Sequence, residues 1–126
     1  MSRLLIVLLI VACLLTACGS GQTVLKEKSA GTTITVQKGA KFQVQLEGNP
    51  TTGYLWEVKD LNTAVLKQVG DWEHKPSSDK PGAPGITTFT FEAVGTGTAK
   101  LQLVYQRPFE KDKAPEKTWE VNVTVK

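Results

Sequence analysis

His74 is the only histidine in this 126-residue chain, and both thiols, Cys13 and Cys18, lie within its first 18 residues. Cys–His and Ser–His catalysis each need an imidazole beside the nucleophile, so the inventory for nucleophilic chemistry is thin. The serines beyond residue 18 are Ser20, Ser29, Ser77 and Ser78, and none stands in a strand-to-helix elbow. Glu57, Asp71, Glu73 and Glu92 fall on the solvent-facing phase of the strands read below, which suits hydrated surface better than paired acid–base work. One histidine with no thiol beside it makes no zinc constellation, and no glycine-rich phosphate loop precedes a helix. No metal, no cofactor and no catalytic residue are expected. His74 reads as a loop residue without a special role. The chemistry left to such a chain is binding.

Cys18 is the exception. Arg3 precedes an unbroken apolar run from Leu4 to Leu15, and Leu15-Thr16-Ala17-Cys18-Gly19 follows. A basic head, ~12 apolar residues and small residues at the end form an export signal, and the run is shorter than the roughly 17–25 residues of a membrane span. Leu-Thr-Ala-Cys resembles the bacterial lipobox, whose cysteine is lipidated and begins the mature chain. Residues 1–17 are therefore expected to be a lipoprotein signal peptide. Cys18 is expected to be the lipidation site, with residues 18–31 a flexible tether and residues 32–126 the folded domain. Cys13 leaves with the signal, so the domain has no disulfide. The implied address is the cell envelope, lipid-anchored, on the outer membrane facing the periplasm in a Gram-negative cell. The formal charge of +3 falls to +2 once Arg3 is removed, and the lysines are spread among acids. No basic cluster speaks for nucleic acid, and a monomer is expected.

From Thr32 onward the apolar period is two. Ile34 and Val36 alternate with threonines; Phe42, Val44 and Leu46 alternate with Lys41, Gln43 and Gln45. Tyr54, Trp56 and Val58, then Phe89, Phe91 and Ala93, then Ala99, Leu101, Leu103 and Tyr105 continue it, and Trp119, Val121, Val123 and Val125 close the chain. Leu66 to Trp72 is a weaker strand. Seven strands with turn signals between them specify an all-β, immunoglobulin-like seven-stranded β-sandwich with Greek-key connections. Labelled A to G and run alternately, the strands place the plain connections at one end. At the other end lie the B–C loop, Gly48 to Gly53; the long D–E loop, His74 to Gly85; and the F–G loop from Arg107 through Lys117. All the unusual loops share one end, where function is commonly grafted on a sandwich.

The B–C loop, Asn49-Pro50-Thr51-Thr52-Gly53-Tyr54, is built to be stiff. Asn49 can bond the backbone two residues on, Pro50 restricts φ, and glycine admits backbone angles closed to other residues. A stiff loop loses little entropy on docking. In the F–G loop, Phe109 follows Pro108 outside the strand phase. It is either a core plug or an interface anchor, and Arg107 beside it either pairs with a carboxylate or reaches a partner.

"NPTTGY" in the B–C loop, a glycine-rich D–E loop and "RPFE" in the F–G loop resemble the chagasin-type inhibitors of papain-like cysteine proteases, over essentially residues 32–126. The resemblance implies the same sandwich and a wedge that occludes the protease cleft reversibly and tightly. Asn49, Pro50, Thr51, Thr52, Gly53 and Tyr54 would enter the cleft, with Thr51 and Thr52 nearest the catalytic pair and Tyr54 as a support. Pro81, Gly82, Ala83, Pro84 and Gly85 would grip one side, and Arg107, Pro108, Phe109 and Glu110 the other. Two departures stand out. The family's D–E loop often reads Gly-x-Gly-Gly where this chain has Gly82-Ala83-Pro84-Gly85, and the aromatic after Arg-Pro is often tryptophan where this chain has Phe109.

Two rival readings remain: a non-inhibitory envelope lipoprotein whose sandwich binds another protein, and a carbohydrate-binding module using tryptophans. Trp56 and Trp119 are on the buried phase and Trp72 alone is ambiguous, so a sugar platform is lacking.

Overall fold

The computed structural model describes residues 22–110 and 112–126. The expected signal peptide and the lipidation site at Cys18 lie outside the described residues. Among the described residues nine strands form two sheets: β1 (Thr23–Leu25), β2 (Thr33–Val36), β3 (Lys41–Gly48), β4 (Leu55–Lys59), β5 (Leu66–Gln68), β6 (Glu73–Pro76), β7 (Gly85–Ala93), β8 (Gly97–Gln106) and β9 (Lys117–Val125). One sheet runs β1-β3-β7, with β5 and β6 sharing the far edge of β7; the other runs β2-β9-β8-β4. This is the expected β-sandwich, with B, E and D in one sheet and C, F and G in the other.

The period of two predicted the core correctly. Along β3 every second residue is buried, and Phe42, Val44 and Leu46 are fully shielded. Phe89, Phe91 and Ala93 of β7 face Leu101 and Leu103 of β8 and Val121 and Val123 of β9 in one continuous cluster. Phe42 and Phe91 stack at 5.6 Å between ring centroids. Trp56 and Trp119 are both buried, and each indole N–H finds a carbonyl: Trp56 Nε1 donates to Glu47 O (2.9 Å) and Trp119 Nε1 to Lys26 O (3.0 Å). Those bonds remove the cost of burying an indole donor.

Four expectations are corrected. The tether does not extend to residue 31, because Thr23–Leu25 pairs in parallel with Phe42–Val44. Leu25 is buried, a 3-10 turn follows at Glu27–Ser29, and the Glu27 carboxylate accepts the backbone N–H of Glu47. The small, polar composition concealed this strand because a three-residue edge strand needs only one apolar side chain facing inward. The strand expected over Leu66 to Trp72 is cut short: β5 ends at Gln68, Gly70 follows at φ 70°, Trp72 lies exposed outside any strand, and β6 takes up Glu73–Pro76 beyond the expected range. His74 is a strand residue, half-buried, with Nδ1 3.1 Å from Oγ1 of Thr87, the buried polar side chain of the core. The expected D–E loop is correspondingly shorter, since Glu73–Pro76 and Gly85 belong to β6 and β7.

Candidate functional site

Strand register sets the height of each loop. Gly48 at the end of β3 lies opposite Gly85 at the start of β7, and Leu55 at the start of β4 lies opposite Gln106 at the end of β8. The B–C, D–E and F–G loops therefore leave the sandwich at one end, as strand alternation required.

The B–C loop is one turn of 3-10 helix, Pro50–Thr52, and every residue of Asn49-Pro50-Thr51-Thr52-Gly53 has a part in it. Asn49 is the N-cap: its Oδ1 accepts the Thr51 N–H at 3.2 Å. Such a cap satisfies one of the donors that a helix start leaves open. Pro50 occupies the first helical position, where its missing N–H costs nothing. Gly53 closes the turn in the left-handed conformation at φ 85°, with its N–H on Pro50 O. Both threonine hydroxyls bond inward, Thr51 Oγ1 to Asn49 Oδ1 and Thr52 Oγ1 to Asn49 O (2.7 Å). The turn is thus closed by its own side chains, while Thr51 and Thr52 remain exposed at its tip.

The turn is also fastened to both neighbouring loops. Asn49 donates its backbone N–H to the Tyr105 hydroxyl (2.9 Å) and its Nδ2–H to Gly82 O in the D–E loop (3.0 Å). From the other side, Arg107 donates Nε–H to Thr52 O (3.2 Å) and lies over the Tyr54 ring, 4.5 Å from its centroid. Tyr54 in turn stacks on Tyr105 at 5.4 Å. The sequence left open whether Arg107 paired locally; it does, holding Glu110 at 3.1 Å, with Lys113 on the second carboxylate oxygen at 3.3 Å. Phe109 is no core plug: it is 74% exposed, with its ring edge against Gly53.

In the D–E loop Ala83 N–H bonds Lys80 O (3.1 Å) across Pro81-Gly82, and Gly82 has φ 78°. Proline and then a left-handed glycine at the two central positions are the signature of a type II turn. Pro84 lacks an N–H to offer, but its carbonyl accepts both the backbone N–H and the hydroxyl of Ser77, each at 2.9 Å.

The match to a family model decides what this arrangement belongs to: residues 35–123 fit the chagasin family peptidase inhibitors, I42. The chain belongs to the chagasin family. Its relatives include amoebiasin-1 of Entamoeba histolytica, 35% identical over 103 residues that cover 80% of this chain and 97% of that protein. Chagasin of Trypanosoma cruzi is 32% identical over 83 residues, 63% of this chain and 76% of chagasin. Among solved structures, the cysteine protease inhibitor EhICP2 of Entamoeba histolytica superposes with a TM-score of 0.72 at 26% identity, covering 82% of this chain and 94% of that one. Membership of this family makes the chain an inhibitor rather than an enzyme.

Sequence reasoning missed one organising residue of this chagasin-family site. Strand phase places Tyr105 in the core, and its ring does pack on Trp56 at 5.0 Å. Its hydroxyl, however, carries the first N–H of the B–C turn. A polar-tipped aromatic at the last buried position of a strand is the available signal.

Arg107 joins the F–G loop to the B–C loop by two contacts and holds Glu110 within its own loop, and Arg107→Ala should weaken inhibition about 10-fold, because partly exposed polar contacts keep only part of their strength. Arg107→Lys should recover little of it, since an ammonium reproduces neither the planar stack on Tyr54 nor the fork that serves Thr52 and Glu110. Inhibition constants for the two variants check this.

The Glu110 carboxyl is held below the usual carboxylate range, first by its hydrogen bond from Arg107 and then by Lys113. A depressed carboxylate stabilises the folded arrangement at neutral pH and loses that contribution only as pH falls through its lowered pKa. Inhibition should therefore be flat from neutral pH down through the usual carboxylate range and decline only below that range. A Glu110→Gln variant should lack that acid limb; a decline already complete at pH 5 in the parent chain would contradict the assignment.

Proposed function

We propose that this chain inhibits papain-like cysteine proteases reversibly, by filling the active-site cleft with the B–C turn and clasping its walls with the D–E and F–G loops. One observation carries the reading: three loops from separate strands are locked into a single rigid edge, with Thr51, Thr52 and Phe109 left exposed along it. Rigidity supplies affinity by lowering the ordering cost of docking. It also protects the loop, since a capped helical turn does not offer an extended peptide to a nucleophile at attacking distance. Both tip hydroxyls are engaged inside the turn, so recognition rests on shape. Support for the protease class comes from the family and from EhICP2, a cysteine protease inhibitor.

The same reading makes the chain a monomeric envelope lipoprotein, anchored through lipid on Cys18 and, in a Gram-negative cell, held at the outer membrane facing the periplasm. The support is the run Leu4 to Leu15 with Leu15-Thr16-Ala17-Cys18 at its end.

Titration of papain and a cathepsin with residues 19–126 tests the inhibitory reading. The expected result is stoichiometric, reversible loss of activity with the inhibitor recovered uncut; full protease activity beside a folded domain would overturn it. Thr52→Ala should raise the inhibition constant less than the double variant Pro50→Gly/Phe109→Ala. Equal constants for the double variant and the parent would show that shape is not what the protease reads.

A further inference from the structure

The first strand gives the domain a direction relative to its anchor. β1 runs parallel to β3, with Thr23 beside Phe42 and Leu25 beside Val44. β3 climbs from Lys41 to Gly48, where the B–C loop begins. Thr23 therefore stands at the end of the sandwich opposite the three loops. The neighbours at that end agree: Gly39 N–H bonds Ala93 O, Val94 N–H bonds Val65 O, and Gly97 lies opposite Val125.

We propose that the pole formed by Lys38-Gly39, Ala64, Gly95-Thr96 and Lys126 is the membrane-facing surface of this protein, and that the inhibitory edge points away from the bilayer. The inference rests on lipidation at Cys18, proposed above. Its occupant is a lipid headgroup surface, and chain length argues for it. Between Cys18 and the pairing of Thr23 there are five Cα steps, which reach about 17 Å when fully extended. From the level of Phe42 to Gly48 is six strand residues, or about 20 Å, before the B–C turn itself is added. An inverted domain, with its loops against the headgroups, would need a tether longer than the one present. A tether reaching residue 31 would have spanned about 45 Å and allowed any orientation; pairing of β1 removes that freedom. Charge is compatible: Lys38 and Lys126 are exposed at this pole with Asp60, and Lys41 and Lys67 are exposed beside it, in register on either side of the half-buried Glu92. Anionic headgroups attract such a surface.

The test uses the full-length, processed lipoprotein in vesicles that contain anionic lipid and a headgroup-bound energy acceptor. A fluorophore is placed by Thr96→Cys at the proposed membrane pole or by Ser78→Cys near the loop end, and mass spectrometry first establishes the lipid on Cys18. The fluorophore at position 96 should be quenched strongly and that at position 78 at least 5-fold less. Vesicle-bound chain should inhibit a soluble protease within about 3-fold of residues 19–126 free in solution. A ten-residue Gly/Ser insertion after Gly19 should shrink the difference in quenching. Equal or reversed quenching in a lipidated chain, or a loss of inhibition beyond 10-fold on anchoring, would overturn the orientation alone. A mature chain without lipid would overturn the anchor and the orientation together, leaving protease inhibition untouched.

Discussion

Phe109→Ala will weaken protease inhibition about 30-fold while leaving the unfolding temperature within about 2 °C of the parent chain. The two halves of this expectation come from one fact. Phe109 is 74% exposed in the free domain, so its removal opens no cavity and forfeits almost no burial. On a protease wall the same ring would bury roughly 150–200 Å². At about 25 cal/mol per Å², discounted for ordering the side chain, that leaves ~2 kcal/mol or more of affinity. The ring is not free to fold away, because Gly53 supports one edge and Pro108 restrains the backbone before it. Phe109→Trp, which restores the aromatic common in the family, should hold or improve affinity. An unchanged inhibition constant for the alanine variant would remove the F–G loop from the interface and return Phe109 to the status of a solitary surface hydrophobe.

Gly85→Ala will act in the opposite way, on the fold first. Gly85 sits in register with Gly48 on one side and Pro76 on the other. A β-carbon added there would stand 2.2 Å from Lys75 O, 2.7 Å from Pro76 Cα and 2.8 Å from His74 Nε2. Two of those neighbours are backbone, which cannot rotate aside, so β6 must separate from β7. The cost should be about 2–4 kcal/mol, seen as a fall of roughly 10–20 °C in unfolding temperature. Inhibition should fall with it, since β6 and β7 hold the two ends of the D–E loop. Gly48→Ala is the control: its nearest neighbour would be the Trp56 ring edge at 3.3 Å, a milder crowding. Thermal melts of the two variants distinguish a backbone collision from a general intolerance of alanine. A Gly85→Ala domain as stable as the parent would mean that the β6 edge yields easily and does not brace the loop.

The contrast between these residues shows what kind of information each level holds. Phe109 was legible as a candidate from sequence, since an aromatic outside strand phase after proline has few roles, but its exposure was not. Gly85 was legible only as part of a glycine-rich loop; the collision that makes it indispensable comes from β6, a strand hidden in the unpromising run Glu73–Pro76. The B–C turn was the most readable feature. Its cap, its proline and its left-handed glycine interact within five residues, and local geometry needs no distant partner to be inferred.

Residues 23–29 were the least readable. A polar leader and a three-residue parallel strand have the same composition, and the difference lies in whether Leu25 and Glu27 meet β3, a contact between segments far apart in the chain. Tyr105 illustrates the same limit. Alternation placed its ring in the core, whereas the use of its hydroxyl depended on where the B–C turn came to rest, 56 residues away in sequence.

By itself, then, the amino-acid sequence determined the sandwich, the phase of its buried residues, the lack of a disulfide in the domain and the gathering of three unusual loops at one end. All of these follow from short-range periodicity and from the alternation of strand direction. Tertiary structure alone decided that Arg107 and Asn49 bind the loops into one edge, that Phe109 stays outside, that β5 and β6 share an interrupted edge, and that the chain enters opposite the loops. Those outcomes rest on hydrogen bonds and contacts between residues tens of positions apart, whose partners are chosen by packing rather than by local pattern.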